Sequence, residues 1–390
     1  MTFLIKRKNF QKTSLIYIIL FLLVFMNKLT NIYIFSKMSL LDTFINVIQI
    51  PLYIGLIYII AQKSYSLKEL RSFFAVGVLL LIGYIVSRQA AYFRGFLLVI
   101  AVKNIPYRKI LTVCRKALTI ILGMGFFLYL LGISDAGIQR RGASGWGFGH
   151  PNITAQLIML IMLLWASEKS NKFKTIHYLY IEFIGLLTYI MTGSKTSTIV
   201  ICLIPFITRF SEKIVSRAWY SKIPKFLMTY SQLLIMMFTY LSAKLLETSN
   251  ILKKFDLIFT NRLFLNYYVL NKFGIKLFGQ NVTLSDNSGT IYNNIHGWYN
   301  WSVTCDCSYM STLLVMGVIP TIIVLIGYIL LMKKAIKHHN YMIVSIALLL
   351  AIYSFCESQM LEIYSSFVYF YLIADDAPLD TVRNEGGTKK

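Results

Sequence analysis

The sequence predicts an all-α integral membrane protein: a polytopic bundle of about twelve transmembrane helices, with a long extracytoplasmic loop between the ninth and the tenth. Apolar residues make up 57% of the 390 residues and charged residues only 14%, against about 25% charged in a soluble domain. The apolar residues come in long blocks, not in the roughly ten-residue alternating segments of a membrane barrel. The formal charge of +23 comes from lysines and arginines gathered in short gaps between those blocks. That distribution sets topology and attracts anionic headgroups, and it argues against nucleic acid as a partner.

The chain opens with Lys6, Arg7, Lys8 and Lys12, then runs apolar from Leu15 to Phe35. This stretch is too long for a signal-peptide core and lacks a small-residue cleavage site, so a retained helix is expected. Spans are expected at 14–36, 42–61, 72–87, 88–104, 112–132, 152–167, 177–191, 196–210, 225–246, 310–332, 341–356 and 360–374. The third and fourth, and the last two, are short and closely joined, so each pair is either a tight hairpin or one broken element. Basic gaps alternate with gaps poor in lysine, which predicts cytoplasmic N- and C-termini. One membrane domain, 1–374, is expected, with outer loops at 133–151 and 247–309 and a polar cytoplasmic tail, 375–390, expected to be disordered. Within the long loop, Leu257 to Phe273 is apolar and aromatic, and is expected to lie along the membrane surface. Cys114, Cys202, Cys305, Cys307 and Cys356 form no disulfide framework; Cys305 and Cys307 are either free thiols, the favoured reading, or a strained local bridge.

Ionisable groups inside spans are costly, so their depth is informative. Lys28 lies near the outer end of the first span, and Arg88 and Arg94 lie in the outer part of the fourth. Lys195 opens the eighth span, Glu357 closes the eleventh and Glu362 opens the twelfth, while Glu182 lies toward the inner half. These positions predict a polar cavity facing outward. Snorkelling to the interface is the plain alternative for Lys28. Arg94 is too deep and too stiff at its guanidinium for that, and is expected to line the cavity.

Two helix starts on the outer side carry anion-binding chemistry. The sixth span follows Arg140-Arg141-Gly142-Ala143-Ser144-Gly145-Trp146-Gly147-Phe148-Gly149-His150-Pro151-Asn152. Here glycines let backbone approach a ligand, paired arginines fork onto phosphate, and Asn152 is a candidate N-cap. The eighth follows Thr192-Gly193-Ser194-Lys195-Thr196-Ser197, again glycine, hydroxyls and a cation at a helix start. Its spacing is not that of a P-loop. Each alone is more readily a capped helix start than a ligand site. Together they point to a lipid-linked phosphate or diphosphate.

As an ordered set, these residues resemble the O-antigen and capsular polysaccharide repeat-unit polymerases, the Wzy family. To the glycine loop and the TGSKTS turn the chain adds Thr260-Asn261-Arg262 followed by Phe278-Gly279, similar to that family's arginine segment. Cys305-Asp306-Cys307-Ser308-Tyr309, leading to Leu313-Leu314 and Gly317, is similar to its DNSY-type stretch. The resemblance covers roughly residues 70 to 365, including Glu357. Many relatives carry arginine at the position of Lys195, asparagine at that of Cys307 and glycine at that of Asn261.

The resemblance implies a glycosyltransferase at the outer face of a bacterial inner membrane. It would move a growing glycan from its polyprenyl diphosphate carrier onto the next lipid-linked repeat unit, with no cofactor. Implied partners are the polyprenyl-diphosphate-linked oligosaccharide, membrane lipids and a chain-length-regulating co-polymerase. Arg140, Arg141, Arg262 and Lys195 would meet the charge on the leaving diphosphate without a metal. Arg94, His150, Asn152 and Tyr309 complete the expected substrate contacts. Asp306 and His296 are the candidate bases; equally, Asp306 caps the tenth span, and the plainer reading of His296 is a surface histidine. Trp298, Tyr299 and Trp301 either stack on sugars or anchor the loop. An O-antigen ligase and a flippase or exporter of lipid-linked glycan are the competing readings. A ligase would carry a His-Asn pair in place of Cys305-Asp306-Cys307, and an exporter would show repeated halves. No HExxH motif or multi-His/Cys cluster points to a metal.

Overall fold

The computed structural model describes residues 2–135, 143–169, 173–216, 222–282, 284–286, 290–293, 297–300, 303–358 and 360–375. In chain order, α1 (Thr2–Leu29), the short α2 (Tyr33–Ser36), α3 (Ser39–Ala61), α4 (Leu67–Ser87), α5 (Ala91–Ala101) and α6 (Tyr107–Leu130) form the first half. Next come α7 (Pro151–Lys169), α8 (Thr175–Thr192), α9 (Lys195–Ser216) and α10 (Lys222–Leu245). The long loop holds α11 (Asn250–Ile258) and α12 (Arg262–Phe273), then strands β1 (Ser285–Asp286), β2 (Thr290–Asn293), β3 (Gly297–Asn300) and β4 (Val303–Thr304). The strands pair antiparallel as nested ladders, β1 with β4 and β2 with β3. The chain ends with α13 (Ser308–Val315), α14 (Val318–Lys337), α15 (Tyr341–Cys356) and a 3₁₀ turn, Phe367–Leu372.

Among the described residues, α3, α4, α6, α7, α10 and α14 are long and apolar enough to cross a membrane, and Ser14–Leu29, Ala91–Ala101 and Tyr341–Cys356 are shorter apolar helices. The outer helices settle the solvent. Phe44, Val47, Ile50, Ile54 and Ile57 of α3 are exposed, as are Leu179, Phe183, Leu186 and Ile190 of α8. Such stripes far exceed what a water-soluble surface tolerates, and their helical spacing presents them to lipid. The architecture is that of an all-α membrane protein.

Two expected spans take other forms. The fourth is the 11-residue α5, about 16 Å of helix, half of what a bilayer core needs. The twelfth, 360–374, holds no α-helix. It runs irregularly and ends in the 3₁₀ turn, with Phe367, Val368, Phe370 and Tyr371 buried. Its carbonyls still find partners: Lys334 Nζ donates to Tyr371 O at 2.7 Å and to Leu372 O and Ala374 O at 3.2 Å each. Hydropathy registers burial of such a segment but not its backbone form. The tenth span is broken at Gly317, between α13 and α14.

Polar contacts tie the basic gaps into one pole. Lys103 pairs with Glu69 at 2.7 Å, Arg115 pairs with Glu168 at 2.7 Å, and Tyr107 N donates to Asp375 O at 2.9 Å. The other pole carries the long loop. There a second apolar cluster, including Leu263, Leu265, Val269, Tyr309, Met310, Leu314 and Phe355, packs the loop onto the bundle. Leu257 to Phe273 is therefore no single surface helix. α12 buries Leu263, Phe264, Leu265 and Val269, whereas the shorter α11 exposes Ile251, Leu257 and Ile258.

Glycine loop and break meet other backbone at van der Waals limits. A Cβ on Gly147 would lie 2.1 Å from Gly125 O of α6. The loop's tightest glycine thus serves packing against α6, not the ligand approach expected from sequence. Gly279 and Gly317 both have positive φ, 82° and 89°, and a Cβ on Gly317 would sit 2.1 Å from Gly279 N. This backbone-to-backbone contact fixes where α13 stops and α14 begins.

Candidate functional site

Arg262 is positioned by its predecessor helix. Asp256, fully buried on α11, accepts from Leu263 N at 2.8 Å and from Phe264 N at 3.2 Å through Oδ1. The carboxylate thereby takes the role of N-cap for α12, because Asn261 at the cap position makes no side-chain cap. Between the two helices Thr260 and Asn261 both lie in the left-handed region, at φ 54° and 63°. Asparagine and glycine enter that region most easily. The kink turns the Arg262 side chain toward the bundle.

There, Arg262 Nη2 donates to Glu357 Oε1 at 3.4 Å, with the two side chains 15% and 14% exposed. Nη1 of Arg262 is buried and has no hydrogen-bond partner among the described residues; one turn later, the Nδ2 of Asn266 is in the same state. Two donors on one face of α12 thus lack partners among the described residues, an arrangement that a bound acceptor would relieve. Burial disfavours the Arg262 charge, but Glu357 and Asp306 together outweigh it and raise its pKa. Glu357 is lifted from 4.5 to about 7 by burial, which Arg262 and a hydrogen bond from Thr196 only partly offset, and Asp306 adds to the rise. Two carboxylates therefore flank one guanidinium.

Neighbouring backbone holds this group in place. Glu357 is the extended residue that ends α15. Ser308 Oγ donates to Glu357 O and accepts from Met360 N at 2.9 Å, pinning the turn after α15. Thr196 belongs to the first turn of α9, beside exposed Lys195 and beneath Ser194, whose buried Oγ lacks a partner among the described residues. The positive end of the α9 dipole therefore faces the Arg262–Glu357 pair. The glycine loop lies next to the same turn: Trp146 Nε1 donates to Met191 O at 2.9 Å, and a Cβ on Gly193 would lie 3.3 Å from Ala143 Cβ.

Several expected residues stand differently. His150, not Asn152, caps α7: its Nδ1 accepts from Asn152 N at 3.1 Å, while Pro151 takes the first helical position, where its missing N–H costs nothing. Cys307, not Asp306, occupies the N-cap position of α13, and Asp306 acts electrostatically on both Arg262 and Glu357. Tyr309 is buried and donates to Ala351 O at 2.7 Å, so it braces α13 on α15 instead of lining the open site. Cys305 and Cys307 are free and buried. Trp298 lies on β3 opposite Tyr292. Arg140, Arg141 and His296 lie outside the described residues.

Arg94 belongs to a second polar cluster. It donates to Gln49 Oε1 at 2.9 Å and lies over the Tyr53 ring, whose hydroxyl meets that of Tyr364 at 2.5 Å. Lys28, 5% exposed, does not snorkel: it donates to Ser365 Oγ at 3.2 Å, with Glu362 nearby. Both clusters hang on the same 357–366 segment. Glu357 was legible only as a charge closing a span; its role as partner of Arg262 had no signal in spacing. Among the described residues no three His, Cys, Asp or Glu side chains gather as metal ligands. No protein-family model, curated protein or solved structure matches this chain.

Proposed function

We propose that this chain is a membrane glycosyltransferase that polymerises polyprenyl-diphosphate-linked oligosaccharide repeat units, at the outer face of a bacterial inner membrane. On this reading the basic pole is cytoplasmic and the Glu357 pole faces outward. The observation that carries the proposal is the open Nη1 of Arg262, held between Glu357 and Asp306 at the start of α9.

That geometry is compatible with the following reaction. An acceptor hydroxyl attacks the anomeric carbon of the donor glycan. The new glycosidic C–O bond forms as the bond from that carbon to the diphosphate oxygen breaks. Asp306 takes the hydroxyl proton, and the charge arriving on the diphosphate is met by Arg262 Nη1, Lys195 and the α9 N-terminus. Glu357 orients Arg262 through Nη2 and leaves its second nitrogen for the leaving group.

The test is deletion of the gene, with surface glycan resolved by gel. Single repeat units in place of a ladder support polymerisation. A persistent ladder overturns the proposal. Full-length polymer retained on the carrier lipid assigns the chain to ligation instead.

A further inference from the structure

A cavity of about 450 Å³ opens at the basic pole, between α1 and the turns joining α3 to α4 and α5 to α6. Lys63 and Ser64 of the first turn line it, with Lys103 and Asn104 of the second. Leu15 of α1 and Tyr58 of α3 form an apolar wall. The site is remote from Arg262: on α1, Leu15 lies 13 residues before Lys28, which touches the 357–366 segment, and that separation is about 20 Å of helix.

Its charges are incompletely matched. Lys103 pairs with Glu69 at 2.7 Å and lies over the Tyr65 ring. Lys63 donates to Lys103 O, and no carboxylate among the described residues forms an ion pair with it. Burial, and then the charge of Lys103, push Lys63 down to about 8. An anion in the cavity would offset both effects. The apolar wall continues into lipid-facing surface, since Tyr58 is 55% exposed beside exposed Ile54 and Ile57. The cavity thus has a cationic end toward water and an apolar side toward acyl chains, and its volume falls in the ~300–1,000 Å³ range of small-molecule sites.

We infer that Lys63 and Lys103 form a binding site for a phosphate-bearing anion, shaped for the headgroup of an anionic phospholipid. The inference is independent of the reaction proposed above.

Native mass spectrometry of the full chain in detergent tests it, with added phosphatidylglycerol, phosphatidylcholine or inorganic phosphate. Phosphatidylglycerol should bind in preference to phosphatidylcholine. Lys63→Gln should weaken it about fivefold, the loss expected for one lysine at a headgroup. Lys63→Arg should retain binding, which separates charge loss from misfolding, and Lys254→Gln, an exposed lysine of α11, should leave it unchanged. Inorganic phosphate that binds with the same Lys63 dependence and displaces the lipid would assign the site to a free phosphate or phosphate ester. Equal binding of the two lipids, or parent-like phosphatidylglycerol affinity in Lys63→Gln, would overturn the inference.

Discussion

Arg262 and Glu357, 95 positions apart in sequence, meet through Nη2 and Oε1 at 3.4 Å. The first opens a loop helix and the second ends the buried helix α15, so the pair also fastens the loop to the bundle. Arg262→Ala removes the cation that Glu357 and Asp306 share and the donor proposed for the leaving diphosphate. Loss of one such donor costs on the order of 100- to 1,000-fold in turnover. Arg262→Ala should therefore yield single repeat units, with near-parent amounts of protein in membrane fractions by immunoblot. Arg262→Lys should rescue little, because an ammonium cannot serve Glu357 and a diphosphate with two fixed nitrogens. A normal ladder from Arg262→Ala would remove Arg262 from the site.

The rise of Glu357 from 4.5 to about 7 has a signed consequence. A carboxyl whose pKa is higher folded than unfolded favours the folded state at low pH. That contribution is complete below about 4.5 and is lost as pH climbs to about 7, with little change above. Its size is on the order of 3 kcal/mol. The parent chain in detergent should lose thermal stability across this window relative to Glu357→Gln, and the difference should level off above pH 7. Polymer formation in membrane vesicles should rise around pH 7, where Glu357 of the folded chain ionises and clamps Arg262. A parent and variant with parallel stability profiles would show that Glu357 does not titrate there.

Asp256 makes the placement of Arg262 dependent on a residue six positions earlier. Asp256→Ala strands the N–H groups of Leu263 and Phe264 inside the protein, a loss of about 2 kcal/mol. It should lower the thermal midpoint and polymer yield together, whereas Asp256→Asn, which keeps the acceptor oxygen, should recover most of both. Full activity in Asp256→Ala would mean that α12 needs no borrowed cap.

The sequence exposed the periodic and charged features of this fold, and concealed those made by distant contacts. Apolar blocks marked the lipid-facing helices because exposed Ile54 and Phe183 look the same in sequence as buried Leu160. For the same reason, 360–374 read as a helix: its burial is apolar, but its carbonyls go to Lys334, which no local pattern reveals. Arg262 and Asp306 were legible by residue type, and the helix start at Lys195 by its glycine and hydroxyls. Glu357 as their partner was not, since the contact closes across α11 to α15. Tyr309 entered the expected contacts through the DNSY-type stretch, and no local pattern shows that its hydroxyl lies on Ala351 O.

Tyr309 gives a direct test of that correction. Tyr309→Phe removes one buried hydroxyl from Ala351 O and leaves the ring in place. The expected cost is about 1 kcal/mol of stability, read as a lower thermal midpoint in detergent. The dependence of polymerisation on acceptor concentration should not move. A raised half-saturation for the acceptor, with unchanged stability, would return Tyr309 to the substrate.

Glycine substitutions separate strain from steric exclusion. Gly274 has φ 64° and ψ 175°, a region essentially confined to glycine, with open space around a hypothetical Cβ, so Gly274→Ala meets conformational strain alone, about 1–3 kcal/mol. Gly279 has φ 82°, and its Cβ would fall 2.0 Å from Val315 O and 2.6 Å from the Met316 carbonyl carbon. No side-chain rotation relieves a clash with backbone, so residues 276–280 must leave the α13–α14 break. That movement breaks Gln280 N to Val315 O at 2.9 Å, Val318 N to Lys276 O at 3.1 Å and Ile319 N to Leu277 O at 3.0 Å. The last two satisfy N–H groups at the start of α14, where no earlier turn can accept them. Three lost hydrogen bonds at about 1 kcal/mol each, added to the strain, bring the cost to about 4 kcal/mol. Gly279→Ala should therefore lose most of its monodisperse peak in size-exclusion chromatography of detergent extracts, while Gly274→Ala, which breaks no hydrogen bond, keeps more of it. Equal behaviour of the two would mean that the loop and the break do not pack backbone to backbone, and that α14 starts at Val318 for another reason.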